Sequence, residues 1–166
     1  AFVEGRNGDC GWFNVSSHIR IPQSDSLRIT SDMTLAAWIQ PLQLSDLHAI
    51  IDKDYEFNGY NLYTDGAGIH MRINSSALTA GSVSTSRWHH VGGVYTGGKI
   101  RIFVDGQQRG ETDAGVLINR DKDVYLGVWG PPGYFTRFYV GYMDDVRIYN
   151  RALTPNEMRW LGEDAQ

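Results

Sequence analysis

An all-β domain of antiparallel strands, folded as a sandwich or barrel, is what the sequence predicts, and three observations predict it. Short runs of alternating apolar and polar residues recur from Trp12 to Tyr149. Turn residues separate them, drawn from 19 glycines among 166 residues. No internal segment carries a convincing helical period, which argues against a parallel α/β sheet.

The strands are expected in order at Trp12 to Val15, His18 to Ile21, Thr34 to Gln40, His48 to Lys53 and Tyr60 to Thr64. Further runs lie at Ile69 to Asn74, Trp88 to Tyr95, Ile100 to Val104, Val124 to Val128 and Phe138 to Tyr149. The best defined is the hairpin from Trp88 to Gly106. Val91, Gly93 and Tyr95 share one side of its first strand, and Ile100, Ile102 and Val104 one side of its second. Gly97-Gly98 and Asp105-Gly106 supply the positive φ that tight two-residue turns require. Met33 to Ile39 is apolar on both faces, as in a central strand covered on each side.

The tail is different. Thr154-Pro155-Asn156-Glu157 is a capping box with proline at the first helical position, and Gly162 ends the pattern. One short C-terminal helix is expected there, covering an edge or end of the sandwich through Met158 and Leu161.

Length and pattern fit a single domain over residues 1–166. With 42% hydrophobic and 20% charged residues, the chain is no disordered segment. A net charge of −4 argues against nucleic acid as a partner, and no apolar run approaches a membrane span. The opening Ala1-Phe2-Val3 has no signal-peptide pattern, so the expectation is a domain cut from a larger or processed protein. Cys10 is the one cysteine and is expected as a small buried hydrophobe.

Five segments carry a family resemblance. They are Trp12-Phe13-Asn14 through Leu27, Met33 to Pro41, Ala49 to Lys53 with Gly59-Tyr60-Asn61-Leu62, the Trp88 to Gly106 hairpin, and Gly141 to Thr154. In this order they resemble the bacterial laminin-G-like branch of the concanavalin A-like lectin/glucanase jelly rolls. The resemblance implies a two-sheet antiparallel jelly-roll sandwich with the sheets about 10 Å apart. It also implies a mostly non-catalytic, secreted, extracellular module, attached to a polysaccharide-degrading enzyme or adhesin.

The motif residues have plain structural readings. Trp38 and Trp88 are expected to pack into the core. His89 and His90, adjacent on a strand, point to opposite faces and cannot share one ion. Arg147 and Tyr149 are expected to contact neighbouring strands.

Catalysis lacks a pattern. A retaining glycosidase needs two carboxylates about 5 Å apart, supplied here by alternate strand residues. Asp144-Asp145 are adjacent and diverge, and Asp52 and Asp54 at a strand end do not form a Glu-x-Asp-x-x-Glu run. No nucleophile elbow, zinc spacing or phosphate loop is present. The resemblance does raise structural Ca2+, with Asp144 at the matching position and Asn14 or Asp9 opposite. Against that stands the reading in which Asp144 only accepts loop amides; both stay open.

Ligand contacts are expected from two loops. One contributes Asp52, Asp54, Tyr55, Phe57 and Asn58. The other is a Pro- and Gly-fixed excursion carrying Trp129, Tyr134, Phe135 and Arg137. Aromatic rings beside amide and charged groups match the apolar C–H faces and polar rims of sugars. The expected function is a lectin-like module that tethers its parent enzyme or adhesin to a polysaccharide or other glycan. A structural domain docking neighbouring domains is the alternative, and a small hydrolase or lyase a third.

Overall fold

The computed structural model describes residues 2–6, 8–53 and 58–163. Thirteen strands are present among them: β1 Phe2–Glu4, β2 Asp9–Phe13, β3 Ile19–Ile21, β4 Met33–Pro41, β5 Leu47–Lys53, β6 Tyr60–Asp65 and β7 Gly68–Ile73. They continue with β8 Ser76–Ala80, β9 His89–Thr96, β10 Lys99–Val104, β11 Gln107–Asp113, β12 Val124–Leu126 and β13 Gly141–Tyr149, and α1 Pro155–Glu163 closes the fold. A seven-stranded sheet runs β1-β2-β13-β4-β9-β10-β11 and a six-stranded sheet β3-β12-β5-β6-β7-β8. Every pairing is antiparallel.

The two sheets enclose one main core. Leu35, Ala37, Ile39, Val91, Tyr95, Ile100 and Ile102 face it from the seven-stranded sheet; Ile51, Leu62, Ile69, Met71, Ile73, Val124 and Leu126 face it from the other. The expected hairpin is the β9–β10 pair. Gly97 and Gly98 turn it with φ of 56° and 71°, and Asp105 and Gly106 follow at 51° and 74°.

The central strand β4 is buried on both sides, for a reason the alternation of Leu35, Ala37 and Ile39 makes clear. Trp38 points the other way. Its ring lies on the outer face, under the Arg6 guanidinium at 4.1 Å and edge-on to His90 at 5.4 Å. Trp88 is only half-buried and sits 6.5 Å from Tyr142. Neither tryptophan belongs to the inter-sheet core, which corrects the expectation from sequence.

The histidine pair does diverge. Ser84 N–H donates to His89 Nε2 at 3.1 Å, which leaves His89 Nδ1 to donate to Asp105 at 2.9 Å. His90 is buried against Trp38, and burial pushes its pKa down to about 4. Arg147 turns back along its own strand, donating to Asp145 at 2.7 Å and to the Tyr149 hydroxyl at 3.1 Å. It therefore does not reach the neighbouring strands as expected. Cys10 is buried, and burial followed by the nearby Asp144 charge raises its pKa.

Helix α1 is capped as the sequence foretold. Glu157 N–H donates to Thr154 Oγ1 at 3.2 Å, and Thr154 N–H donates to Glu157 Oε2 at 2.8 Å. The helix covers the outer face of the seven-stranded sheet and reaches its β11 edge: Met158 is fully buried with Val94, Phe103 and Leu153 in a second cluster outside that sheet.

Candidate functional site

Strand register builds the site on the outer face of the six-stranded sheet. Arg20 of β3 pairs with Tyr125 of β12, which pairs with Asp52 of β5. Asp52 pairs with Asn61 of β6, Asn61 with Arg72 of β7, and Arg72 with Ala77 of β8. Residues directly opposite across antiparallel strands share one face, so these side chains form a row across the sheet. One step along, Tyr63, His70 and Thr79 form a second row.

The rows are tied by hydrogen bonds. Arg72 Nε donates to Asn61 Oδ1 at 3.1 Å, Asn61 Nδ2 donates to Asp52 Oδ1 at 2.7 Å, and the Tyr63 hydroxyl donates to the same oxygen at 2.6 Å. Asp52 is 1% exposed. It is a strand residue beneath the face, orienting Asn61 and Tyr63, and not a loop residue at the rim. Burial, then the Asp52 charge, pushes the Tyr63 hydroxyl pKa well up, so it stays a donor. His70 is bonded to Thr79 Oγ1 at 2.8 Å, and burial with the Arg72 charge pushes its pKa down.

The second predicted loop arches over this face. Trp129 and Thr136 close it through paired backbone hydrogen bonds at 3.0 and 2.8 Å, and Tyr134 N–H donates to Pro131 O at 2.9 Å. Ala49 N–H donates to Arg137 O at 3.0 Å and Tyr139 N–H to Gly127 O at 2.9 Å, pinning the loop's return to the sheet. Phe135 packs on Tyr125 at 5.2 Å and on His18 at 4.6 Å between ring centroids. The Arg137 guanidinium lies 5.0 Å from the Trp129 ring centroid. Tyr134 stands 79% exposed at the tip.

Of the predicted ligand residues, Trp129, Phe135 and Arg137 therefore converge on the sheet face that Asp52 supports. Asn58 is partly buried before β6, and Asp54, Tyr55 and Phe57 lie outside the described residues. Sequence reasoning missed Asn61, Tyr63, His70, Arg72 and Tyr125. Their signal was present as polar and aromatic residues alternating with Leu62, Met71 and Ile73 along β6 and β7, and with Val124 and Leu126 along β12.

Of the residues named for calcium, Asp144 and Asp9 lie on one cleft and Asn14 lies apart. Asp144 lies within β13, where its Oδ2 accepts Arg6 N–H at 2.8 Å, the loop-amide role foreseen as the alternative. Asp9 shares with it a cleft of about 160 Å³ that Asn14 does not line. Asn14 Oδ1 instead accepts Ser16 N–H at 3.0 Å within its own turn. Among the described residues, no three His, Cys, Asp or Glu side chains come together as a metal cluster.

A two-sheet antiparallel sandwich with a polar and aromatic sheet face under a rigid loop has the architecture of the lectin-like jelly rolls. The chain belongs to the concanavalin A-like lectin/glucanase superfamily, whose laminin-G-type profile it matches over residues 13–159. No curated protein matches the sequence.

Among solved structures, domain 4 of AbnA, a GH43 extracellular arabinanase from Geobacillus stearothermophilus in complex with arabinotriose, is similar at 20% identity and TM-score 0.77, over 98% of this chain and 80% of that one. The CBM40 of Ruminococcus gnavus IT-sialidase, bound to α2,3-sialyllactose, is similar at 14% identity and TM-score 0.73, over 92% and 97%. A candidate carbohydrate-binding protein from Bacteroides ovatus is similar at 21% identity and TM-score 0.74, over 90% of this chain but only 45% of its own. At these identities the likeness is one of fold.

Proposed function

We propose that this chain is a non-catalytic carbohydrate-binding domain that takes a glycan on the outer face of its six-stranded sheet, beneath the 128–139 loop. One observation carries the reading. The hydrogen-bonded row of Asp52, Asn61 and Arg72 continues into Tyr125, on which Phe135 packs, so hydrogen-bonding groups and aromatic surface meet on one preformed face. Sugars present both kinds of surface at once, and a face held by strand pairing loses little entropy on binding. The arabinotriose and sialyllactose complexes of similar domains support the same assignment.

A non-catalytic role is in keeping with the chemistry of the face among the described residues. Asp52 is its buried carboxylate, and two donors already occupy one of its oxygens. Glycoside hydrolysis needs a second carboxyl group as proton donor. Tethering a secreted enzyme or adhesin to its polysaccharide is the setting this role fits. Retention on immobilised polysaccharides tests the proposal: wild type is retarded and Trp129→Ala is not. Equal mobility of both, on every glycan tried, would refute it.

A second reading has its own observation. Trp12, 39% exposed, pairs with Tyr142 on the seven-stranded sheet, and Tyr142 lies 6.5 Å from Trp88. An exposed aromatic ridge on the face opposite the loop is what a structural domain docking a neighbouring domain would present. Trp12→Ala would then weaken association with the parent protein and leave glycan retention unchanged.

A further inference from the structure

We infer that the glycan carries a carboxylate, and that Arg137 is the residue that reads it. The inference rests on the glycan-binding reading above and names the class of sugar. Arg20, Arg28, Arg101, Arg147, Arg151 and Arg159 each have a carboxylate partner within the fold. Arg137 has none among the described residues. Its side chain is exposed, and its one close partner is the Trp129 ring.

The fold holds this cation in place. Arg137 has φ of 54°, a left-handed conformation that is unfavourable for a non-glycine residue. Its carbonyl accepts Ala49 N–H at 3.0 Å, so β5 itself fixes that backbone. Strain persists where surrounding structure over-determines it, and such positions cluster at ligand clamps. A guanidinium laid against an indole is restrained in orientation while its N–H donors remain available. Ala49, which donates to its carbonyl, pairs with Tyr63 across β5 and β6, so Arg137 is anchored beside the second row of the site.

The local charges point the same way. Asp52 is buried and bonded from Asn61 and Tyr63, Arg72 is engaged with Asn61, and His70 is held towards its neutral form. What the face offers outward is the fork of Arg137. A planar carboxylate matches that fork with two parallel hydrogen bonds, whereas a neutral hydroxyl takes one. Uronic acids within a chain and sialic acids at a chain end both supply this group.

Calorimetry on the intact chain with two acid/neutral pairs tests the inference: oligogalacturonate against its methyl ester, and 3′-sialyllactose against lactose. At least one acid is expected to bind about 10- to 100-fold tighter than its neutral counterpart, and the responding pair tells the source. That preference should vanish in Arg137→Gln and in Arg137→Gly, the latter free of the left-handed backbone cost. Arg137→Lys should keep part of it. Equal binding of acid and neutral forms would overturn the carboxylate, and an acid preference that survives in Arg137→Gln would overturn the role of Arg137; both leave the glycan reading intact. Binding to none of the four probes also overturns it. The glycan reading then stands only if retention on neutral polysaccharides is lost in Trp129→Ala.

Discussion

Arg137 and Trp129 are stacked 5.0 Å apart, guanidinium carbon to indole centroid, beside the Trp129–Thr136 bridge that closes their loop. The indole therefore does two things at once. It orients the cation, and it contributes apolar surface beside Phe135 and Tyr125. Trp129→Ala combined with Tyr134→Ala is expected to abolish glycan binding. The fold should survive, because Tyr134 is exposed and the loop is closed by backbone hydrogen bonds. Calorimetry and circular dichroism check the two halves; unchanged affinity refutes the first and a lost β spectrum the second.

Beneath that surface, Tyr63→Phe removes a donor from a carboxylate buried to 1% exposure. Leaving a buried charge short of a hydrogen bond costs about 1–3 kcal/mol. Urea unfolding is expected to show that loss. Affinity should fall as well, because Asn61 and Asp52 share the network on which the site rests. A Tyr63→Phe variant as stable as wild type would show that the network contributes nothing to stability.

Much of the fold was legible because local chemistry and global structure agree. The β9–β10 hairpin announces itself through glycine turns, and α1 through Thr154 and Glu157. Three strands escaped notice: β1 and β8 are short, and β11 is polar. Gln107–Asp113 lies at one edge of its sheet, its residues exposed or only partly buried, so no alternation marks it. Trp38 was assigned the wrong face because its strand is apolar on both sides, and periodicity cannot then say which side is the core.

The site was half legible for a related reason. Trp129, Phe135 and Arg137 stand out in a loop of unusual composition. Asn61, Arg72 and Tyr125 become a row only through register, which pairs residues far apart in sequence.

Helix α1 offers a graded pair of substitutions. Thr154→Ala removes the N-cap hydroxyl that accepts Glu157 N–H, at a cost of about 1 kcal/mol. Met158→Ala empties a fully buried position between the helix and the outer face of β9 and β10, and should cost about 2–5 kcal/mol. Thermal unfolding should rank wild type above Thr154→Ala above Met158→Ala. The reverse order would mean that capping, and not packing, holds the helix to the sheet.

His90 sets a dependence on pH. Burial against Trp38 holds its imidazole near pKa 4, whereas the unfolded side chain titrates near 6.5. Between those values the unfolded chain binds more protons than the folded one, so stability rises with pH across the window. The contribution is whole above about pH 6.5 and is lost as pH falls towards 4, amounting to about 3 kcal/mol at most. Carboxylates titrate in part of the same range, so the informative quantity is a difference between proteins. Urea unfolding of wild type and His90→Gln at pH 7 and at pH 4.5 should show a steeper loss in wild type, with the gap between the two narrowing as pH falls. Parallel slopes would mean that His90 is charged in the folded protein, and that water reaches the Trp38 face.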